Sequence, residues 1–301
     1  MMVTAKRGCV AALMYDFDKT LCTKDMQEYR FIPDLGIESS DFWREVRELA
    51  SSEKMDKILA YMYLMIDKAH AAKKTVKRDD FKKLGAEIEF YDGVESWFGR
   101  VNDFGRKNAV SVEHYIISSG LREIIEGTMI CKDFKEIYAC EFYYDEHGVA
   151  AWPKNVVNFT TKTQFLFRIN KDALDISEDN KLNEYIPEDK RRIPFRNMIY
   201  IGDGMTDVPC MRLVKDSGGY SIAVYSPKKR VGSAKADAKR LLTDHRVNFV
   251  AKADFSRDSE LERLTMDILI KIAAEDRLVS MHSKQMEKAS EEKAQADRDR
   301  A

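Results

Sequence analysis

The chain has no C-x-x-C pair and no cysteine or histidine spacing that suits a metal. Its five cysteines, Cys9, Cys22, Cys131, Cys140 and Cys210, are odd in number. This excludes a disulfide framework or a zinc module and suits reduced, mostly buried thiols in a cytosolic protein. The histidines (His70, His114, His147, His245, His282) are equally isolated and read as structural or surface residues. An excess of charge is also missing, with 50 lysines and arginines against 51 acidic residues. No general field is available to hold a polyanion, so nucleic acid is not an expected partner. No apolar run approaches the roughly 18 residues of a membrane span. The stretch after Lys6 and Arg7 is too short for a signal peptide and is interrupted by Asp16. These absences leave the expectation of a soluble, cytoplasmic protein with no membrane partner. No internal repeat is visible.

What is present is alternation. With 301 residues and 44% hydrophobic composition, one large core with a smaller companion is expected. Residues 8–15, GCVAALMY, form an unbroken apolar run of strand length ending in an acid, as a strand covered on both faces does. Further strands are expected in VEHYIISSG, NMIYIGDG, YSIAVY and VNFVA. IYACEFYYDEHGVAAW reads as a hairpin closed by Pro153. Between the first and second strands, Phe42, Val46 and Leu49, then Met55, Ile58, Leu59, Met62 and Ile66, recur at helical spacing. A further helix is expected up to about Gly85. Residues 23–90 therefore read as a small helical cap inserted into a core made of 1–22 and 91–280. Residues 171–194 read as a helix-poor surface excursion, and Ser259 with Glu262 as a capping box. Residues 281–301 read as a charged tail, either a frayed solvated helix or disordered. Strands alternating with helices predict an α/β fold, a three-layer Rossmann-like core with a mainly parallel sheet, whose ligands bind outside the carboxyl ends of the strands.

Three expected strands end at that edge in Asp16, Ser118 and Asp203. Two aspartates from different strands make a hard, oxygen-rich site suited to Mg²⁺. A phosphate ester repels an anionic nucleophile, so a carboxylate attacks phosphorus only where a cation neutralises both. Asp16 is placed to attack and form an aspartyl-phosphate. Asp18, two residues on, can protonate the leaving group and later deprotonate water. Ser118, with Ser119 and Gly120 after it, offers hydrogen-bond donors to a phosphoryl oxygen. A lysine is needed to offset the negative charge; Lys162, heading an apolar-periodic helix, is the candidate and Lys154 its competitor.

DFDKT at 16–20, Ser118, Lys162 and GDGMTD at 202–207 together resemble the four ordered motifs of the haloacid dehalogenase superfamily, over roughly residues 10–225. Within it the resemblance is to phosphatases, with a helical insertion similar to the small cap of phosphoserine phosphatase-like members. It implies Asp16 as nucleophile and Mg²⁺ ligand, Asp18 as acid/base that lends the metal its carbonyl, and Ser118 and Lys162 as phosphate ligands. Asp203 would bind the metal, Asp207 would support it, and Thr20 would orient Asp18. The second aspartate of the first motif favours phosphoryl transfer, because the family's dehalogenases lack it. Phosphoserine phosphatases carry a cap glutamate that reads the substrate amino group. Here Asp25 has that spacing, with Glu28 nearby, and Arg30, Arg44 and Arg47 are available for a substrate carboxylate.

The leading expectation is a Mg²⁺-dependent phosphatase acting on a small phosphorylated metabolite. Alternatives are a phosphotransferase to an alcohol acceptor and a non-catalytic phospho-ligand binding protein; the intact Asp18 argues against the latter. Asp-Lys-Thr also occurs in the phosphorylated segment of P-type ion pumps. There it continues with Gly-Thr, whereas here Leu21 and Cys22 follow.

Overall fold

The alternation of apolar runs resolves into one seven-stranded sheet in a computed structural model that describes residues 8–226 and 233–300. Residues 1–7, with Lys6 and Arg7, and Ala301 lie outside the described residues, as do 227–232. The strands are β1 (Cys9–Tyr15), β2 (Val110–Leu121), β3 (Glu136–Tyr144), β4 (Ala150–Asn155), β5 (Met198–Gly202), β6 (Tyr220–Tyr225) and β7 (Phe249–Lys252), in the order β4-β3-β2-β1-β5-β6-β7. All adjacent pairs are parallel except β3 with β4. The expected α/β class and mainly parallel sheet are therefore present. Ala11 to Tyr15 have no exposed surface, which accounts for the unbroken apolar run of a central strand.

Helices α5 (Val94–Lys107) and α11 (Glu260–Arg300) meet over β1 and β2. Helices α7 (Lys162–Lys171) and α9 (Val208–Asp216) meet over β2, β5 and β6, and α10 (Ser233–Thr243) packs on β6 and β7. Ser259 Oγ accepts from the Glu262 amide at 3.1 Å, but the Glu262 carboxylate reaches back to the Asp258 amide, one residue earlier than in a standard capping box. Residues 281–300 continue α11 without a break. The polar excursion holds one short α-helix, α8 (Asp179–Asn183), and a 3₁₀ turn at Glu188–Lys190. It is pinned by the buried Arg168, whose guanidinium donates to the carbonyls of Asp175 and Ile176 at 2.7 and 2.9 Å.

Helices α1 (Phe31–Asp34), α2 (Ser39–Ser52), α3 (Lys57–Ala71) and α4 (Arg78–Leu84) lie between β1 and α5, and α6 (Arg122–Glu126) follows β2. The chain enters and leaves this helical segment side by side: Cys22 and Phe90 form an antiparallel bridge, and the Tyr91 amide donates to the Leu21 carbonyl at 3.0 Å. Asp56 caps α3 by accepting from the Ile58 amide at 2.7 Å, and its other oxygen accepts from Asn158 at 3.0 Å, tying α3 to the loop ahead of α7.

Two local expectations are corrected. Ser118 is not the end of β2, which runs to Leu121, although its pairing with β3 breaks between Ile117 and Leu121. Pro153 does not close the hairpin; it sits within β4, opposite Phe142. An edge strand tolerates the missing N–H that a central strand would not.

Candidate active site

From β1 the chain runs outward through β2, β3 and β4 and then returns to β5 on the other side, so the strand order reverses between β1 and β5. In such sheets this reversal opens a crevice at the carboxyl edge. The register brings two acids to it. Tyr15 pairs with Ile201, the Asp16 amide donates to the Ile201 carbonyl at 3.0 Å, and Asp203 follows one residue beyond β5.

Carboxylate oxygens of Asp16, Asp203 and Asp207 come within 4.8 Å of one another. Lys162, at the first position of α7 and fully buried, donates to Asp16 Oδ1 at 2.8 Å and Asp207 Oδ1 at 2.7 Å. A lysine at a helix start opposes the helix dipole, and these two carboxylates compensate it. Asn158 builds that start by accepting from the amides of Thr160 and Thr161 at 3.1 and 2.8 Å. Asp207 is further held by the Tyr200 hydroxyl at 2.8 Å and the Gly204 amide at 3.4 Å. It packs so closely on Gly202 that a Cβ there would lie 2.5 Å from Asp207 Oδ2.

These partners distinguish the three acids. Asp207 is occupied on both oxygens. Asp203 is half-buried and its carboxylate makes no hydrogen bond or ion pair among the described residues. Asp16 gives only Oδ1 to the lysine. The free donors are thus carboxylate oxygens of Asp16 and Asp203, an all-oxygen set that fits Mg²⁺ better than a softer metal. The electrostatics agree. Burial, then the charges of Asp16 and Asp207, push the Asp203 carboxyl well above the ordinary range. Burial raises Asp16, Lys162 lowers it and Asp207 raises it again, leaving it at about 6. Burial alone would lower Lys162, but its two carboxylates outweigh this and keep it charged.

Asp18 lines the same cavity, with Oδ1 accepting from the Met26 amide at 2.8 Å. Burial, then the charges of Asp25 and Asp16, push its carboxyl well above the ordinary range. Thr20 does not orient it. The Thr20 hydroxyl is buried without a hydrogen bond among the described residues, and the Met26 amide holds Asp18 instead. Ser118 is fully buried, with its Oγ accepting from the Gly120 amide at 3.0 Å, while Ser119 is the serine in the cavity wall, its hydroxyl buried and without a hydrogen-bond partner among the described residues. Lys154 is remote from the cluster, paired with Glu141 at 3.0 Å. Asp25 lines the cavity but is engaged by Lys19. Glu28 accepts from Trp43 Nε1 at 2.7 Å. Of the three arginines only Arg47 faces the cavity; Arg30 pairs with Asp34, and Arg44 with Asp41 and Glu48.

Sequence reasoning misses Tyr200, Met26 and Tyr61. The Tyr61 hydroxyl donates to the Ser119 carbonyl at 2.7 Å. An aromatic inside an apolar strand or helix carries no sign that its hydroxyl is used. The cavity encloses about 540 Å³, with the acidic cluster in its wall.

The profile of haloacid dehalogenase-like hydrolases matches residues 13–212, which span every residue of the cluster. The chain belongs to this family. A relative, an uncharacterized protein of Borreliella burgdorferi, is 30% identical over 291 residues, covering 87% of this chain and 97% of that one. Among solved structures, a probable phosphoserine phosphatase from Vibrio cholerae superposes with a TM-score of 0.53 at 12% identity, covering 89% of this chain and 67% of that one. A substrate-bound phosphoserine phosphatase superposes with a TM-score of 0.51 at 13% identity, covering 82% and 94%. At these identities the likeness is one of fold alone. No helix among the described residues is long and apolar enough to cross a membrane.

Proposed function

We propose that the protein is a Mg²⁺-dependent phosphatase that hydrolyses a small phosphorylated metabolite through an aspartyl-phosphate on Asp16, with residues 23–90 acting as the cap. The observation that carries this reading is the Asp16 carboxylate, held by one oxygen to a buried lysine and standing beside Asp203, which has no hydrogen-bond or ion-pair partner among the described residues, in the wall of an open cavity. Mg²⁺ held by Asp16, Asp203 and the Asp18 carbonyl would supply the positive charge that offsets repulsion between carboxylate and phosphate.

Asp16 attacks phosphorus as the bond from phosphorus to the alcohol oxygen breaks, and Asp18 gives that oxygen its proton. Asp18 then takes a proton from water, which attacks phosphorus and frees Asp16 and inorganic phosphate. The unpaired Ser119 hydroxyl is a donor for a phosphoryl oxygen; Ser118 shapes the turn through Gly120. Lys162 limits the negative charge at Asp16, and Asp207 fixes Lys162.

The test is hydrolysis of an aryl phosphate with Mg²⁺ by wild type and Asp16→Asn, expected to differ by about a thousandfold, as for loss of a nucleophile. Equal rates would refute the reading.

A further inference from the structure

The cavity wall carries a second group of polar side chains that phosphoryl transfer does not use. Arg47 comes from α2 and Lys57 from the first position of α3, and neither has an ion-pair or hydrogen-bond partner among the described residues. Gln27 is only 2% exposed, and its Oε1 is buried with no hydrogen-bond partner among the described residues. A buried acceptor without a donor is costly, so a side chain kept in this state on a cavity wall is one whose partner arrives with a ligand. The wall's one carboxylate outside the catalytic group, Asp25, is already engaged by Lys19. Trp43 has its indole N–H given to Glu28, so toward the cavity it offers ring surface and no donor.

We infer that this wall selects substrates bearing a second anionic group, a carboxylate or a second phosphate, which Arg47 and Lys57 meet while a hydroxyl near it donates to Gln27 Oε1. The inference rests on the phosphatase reading of the same site and names its substrate class. A substrate ammonium would face two unpaired cations and no free carboxylate beyond the catalytic ones. A neutral remainder would leave both cations solvated and gain nothing from them. The cavity volume, about 540 Å³, lies in the range of small-molecule sites.

Four probes separate the possibilities: phosphoglycerate, with a carboxylate and a hydroxyl; fructose bisphosphate, with a second phosphate; glycerol phosphate, with a neutral remainder; and phosphoethanolamine, with an amine. In wild type with Mg²⁺, kcat/KM for at least one anionic probe is expected about tenfold or more above glycerol phosphate, with phosphoethanolamine lowest, a preference that shrinks with added salt. Which anionic probe leads tells carboxylate from phosphate. Both cations are solvent-exposed, so Arg47→Gln and Lys57→Gln leave the core intact, and each is expected to reduce the anionic-to-neutral ratio at least about threefold. Equal kcat/KM across the probes, or a ratio unchanged in both variants, overturns the inference. Calorimetric binding of the same probes to wild type gives a readout independent of turnover. Affinities for both phosphoglycerate and fructose bisphosphate no higher than for glycerol phosphate overturn the inference, whereas a binding preference without hydrolysis of any phosphate ester supports it and counts against the phosphatase reading alone.

Discussion

Lys162→Met tests the electrostatic design of the site most directly. The lysine and its two carboxylates have side chains between 0 and 7% exposed, with Nζ 2.8 Å from Asp16 and 2.7 Å from Asp207. At an effective dielectric of about 20, each contact represents roughly 6 kcal/mol of Coulomb attraction before desolvation is charged against it. The net cost of removing one partner from such a buried group is about 3–5 kcal/mol, because the carboxylates left behind are buried without compensation. Methionine keeps the length and apolar stem, so little of the loss comes from packing. The assay is urea unfolding followed by tryptophan fluorescence in EDTA. Lys162→Met should lose about 3–5 kcal/mol, and Asp207→Asn added to it should restore part of the loss by deleting one orphaned charge. Mg²⁺ in place of EDTA should restore another part by compensating Asp16 and Asp203. A loss under about 1 kcal/mol, or a double variant no more stable than the single, would show that the lysine does not hold this cluster together.

Glu113 and His114 control stability in acid. Burial would raise the Glu113 carboxyl, but hydrogen bonds from Arg192, Lys135 and Tyr115 outweigh it and hold it at about 2. The unfolded carboxyl titrates at a higher pH, so this stabilisation is complete above about pH 4.5 and lost as pH falls toward 2. Glu113→Gln should cost roughly 1–2 kcal/mol at pH 7, after discounting for solvent screening, and almost nothing near pH 2; a pH-independent difference would contradict this. Trp97 Nε1 donates to the Tyr15 hydroxyl at 2.9 Å, leaving that hydroxyl to donate to His114 Nδ1 at 3.0 Å, so the imidazole is neutral with its proton on Nε2, facing Asn102. Burial lowers this histidine to about 3. It therefore supports folding above about pH 6.5 and weakens it progressively below. The stability gap between wild type and His114→Gln should close as pH is lowered from 7 to 4, and a gap that widens would be incompatible with a neutral buried ring. Gly202→Ala should cut activity by about tenfold or more while sparing most of the fold, because the new methyl displaces the Asp207 carboxylate that fixes Lys162. Unchanged kcat in a folded Gly202→Ala protein would remove Asp207 from that role.

The sheet and the cluster are legible in the sequence to different depths. Central strands announce themselves because both faces are covered, and the run Ala11–Tyr15 has nowhere to place a polar side chain before Asp16. The order of the strands then brings Asp16 and Asp203 together, since both terminate apolar runs in a parallel sheet. Contacts that depend on distant side chains are not legible in this way. That Thr20 is idle while the Met26 amide holds Asp18 depends on how the chain folds back after Cys22, which no periodicity encodes. Choosing Lys162 over Lys154 needs the sheet geometry, because Lys154 belongs to β4, the second strand of the hairpin, and only the helix start at 162 reaches the crevice. Arg47 likewise looks like Arg30 and Arg44 in sequence; it differs in facing the cavity and in having no ion-pair partner among the described residues.

The proline within β4 has a further consequence for how copies of this protein behave toward each other. β4 is one margin of the sheet, and there Tyr143 and Trp152 form a cross-strand aromatic pair, 59% and 71% exposed. Residues 76 and 77 cover the start of this margin, where the Ala150 amide donates to the Val76 carbonyl at 2.9 Å, but past it an apolar margin of this kind invites a strand from another molecule to add to it. Pro153, next to Trp152, can give no N–H to an incoming strand, and Lys154 beside it sets a charge on the same margin. The residue that first reads as the end of a hairpin thus stands where it disfavours continuation of the sheet past β4 into a neighbour.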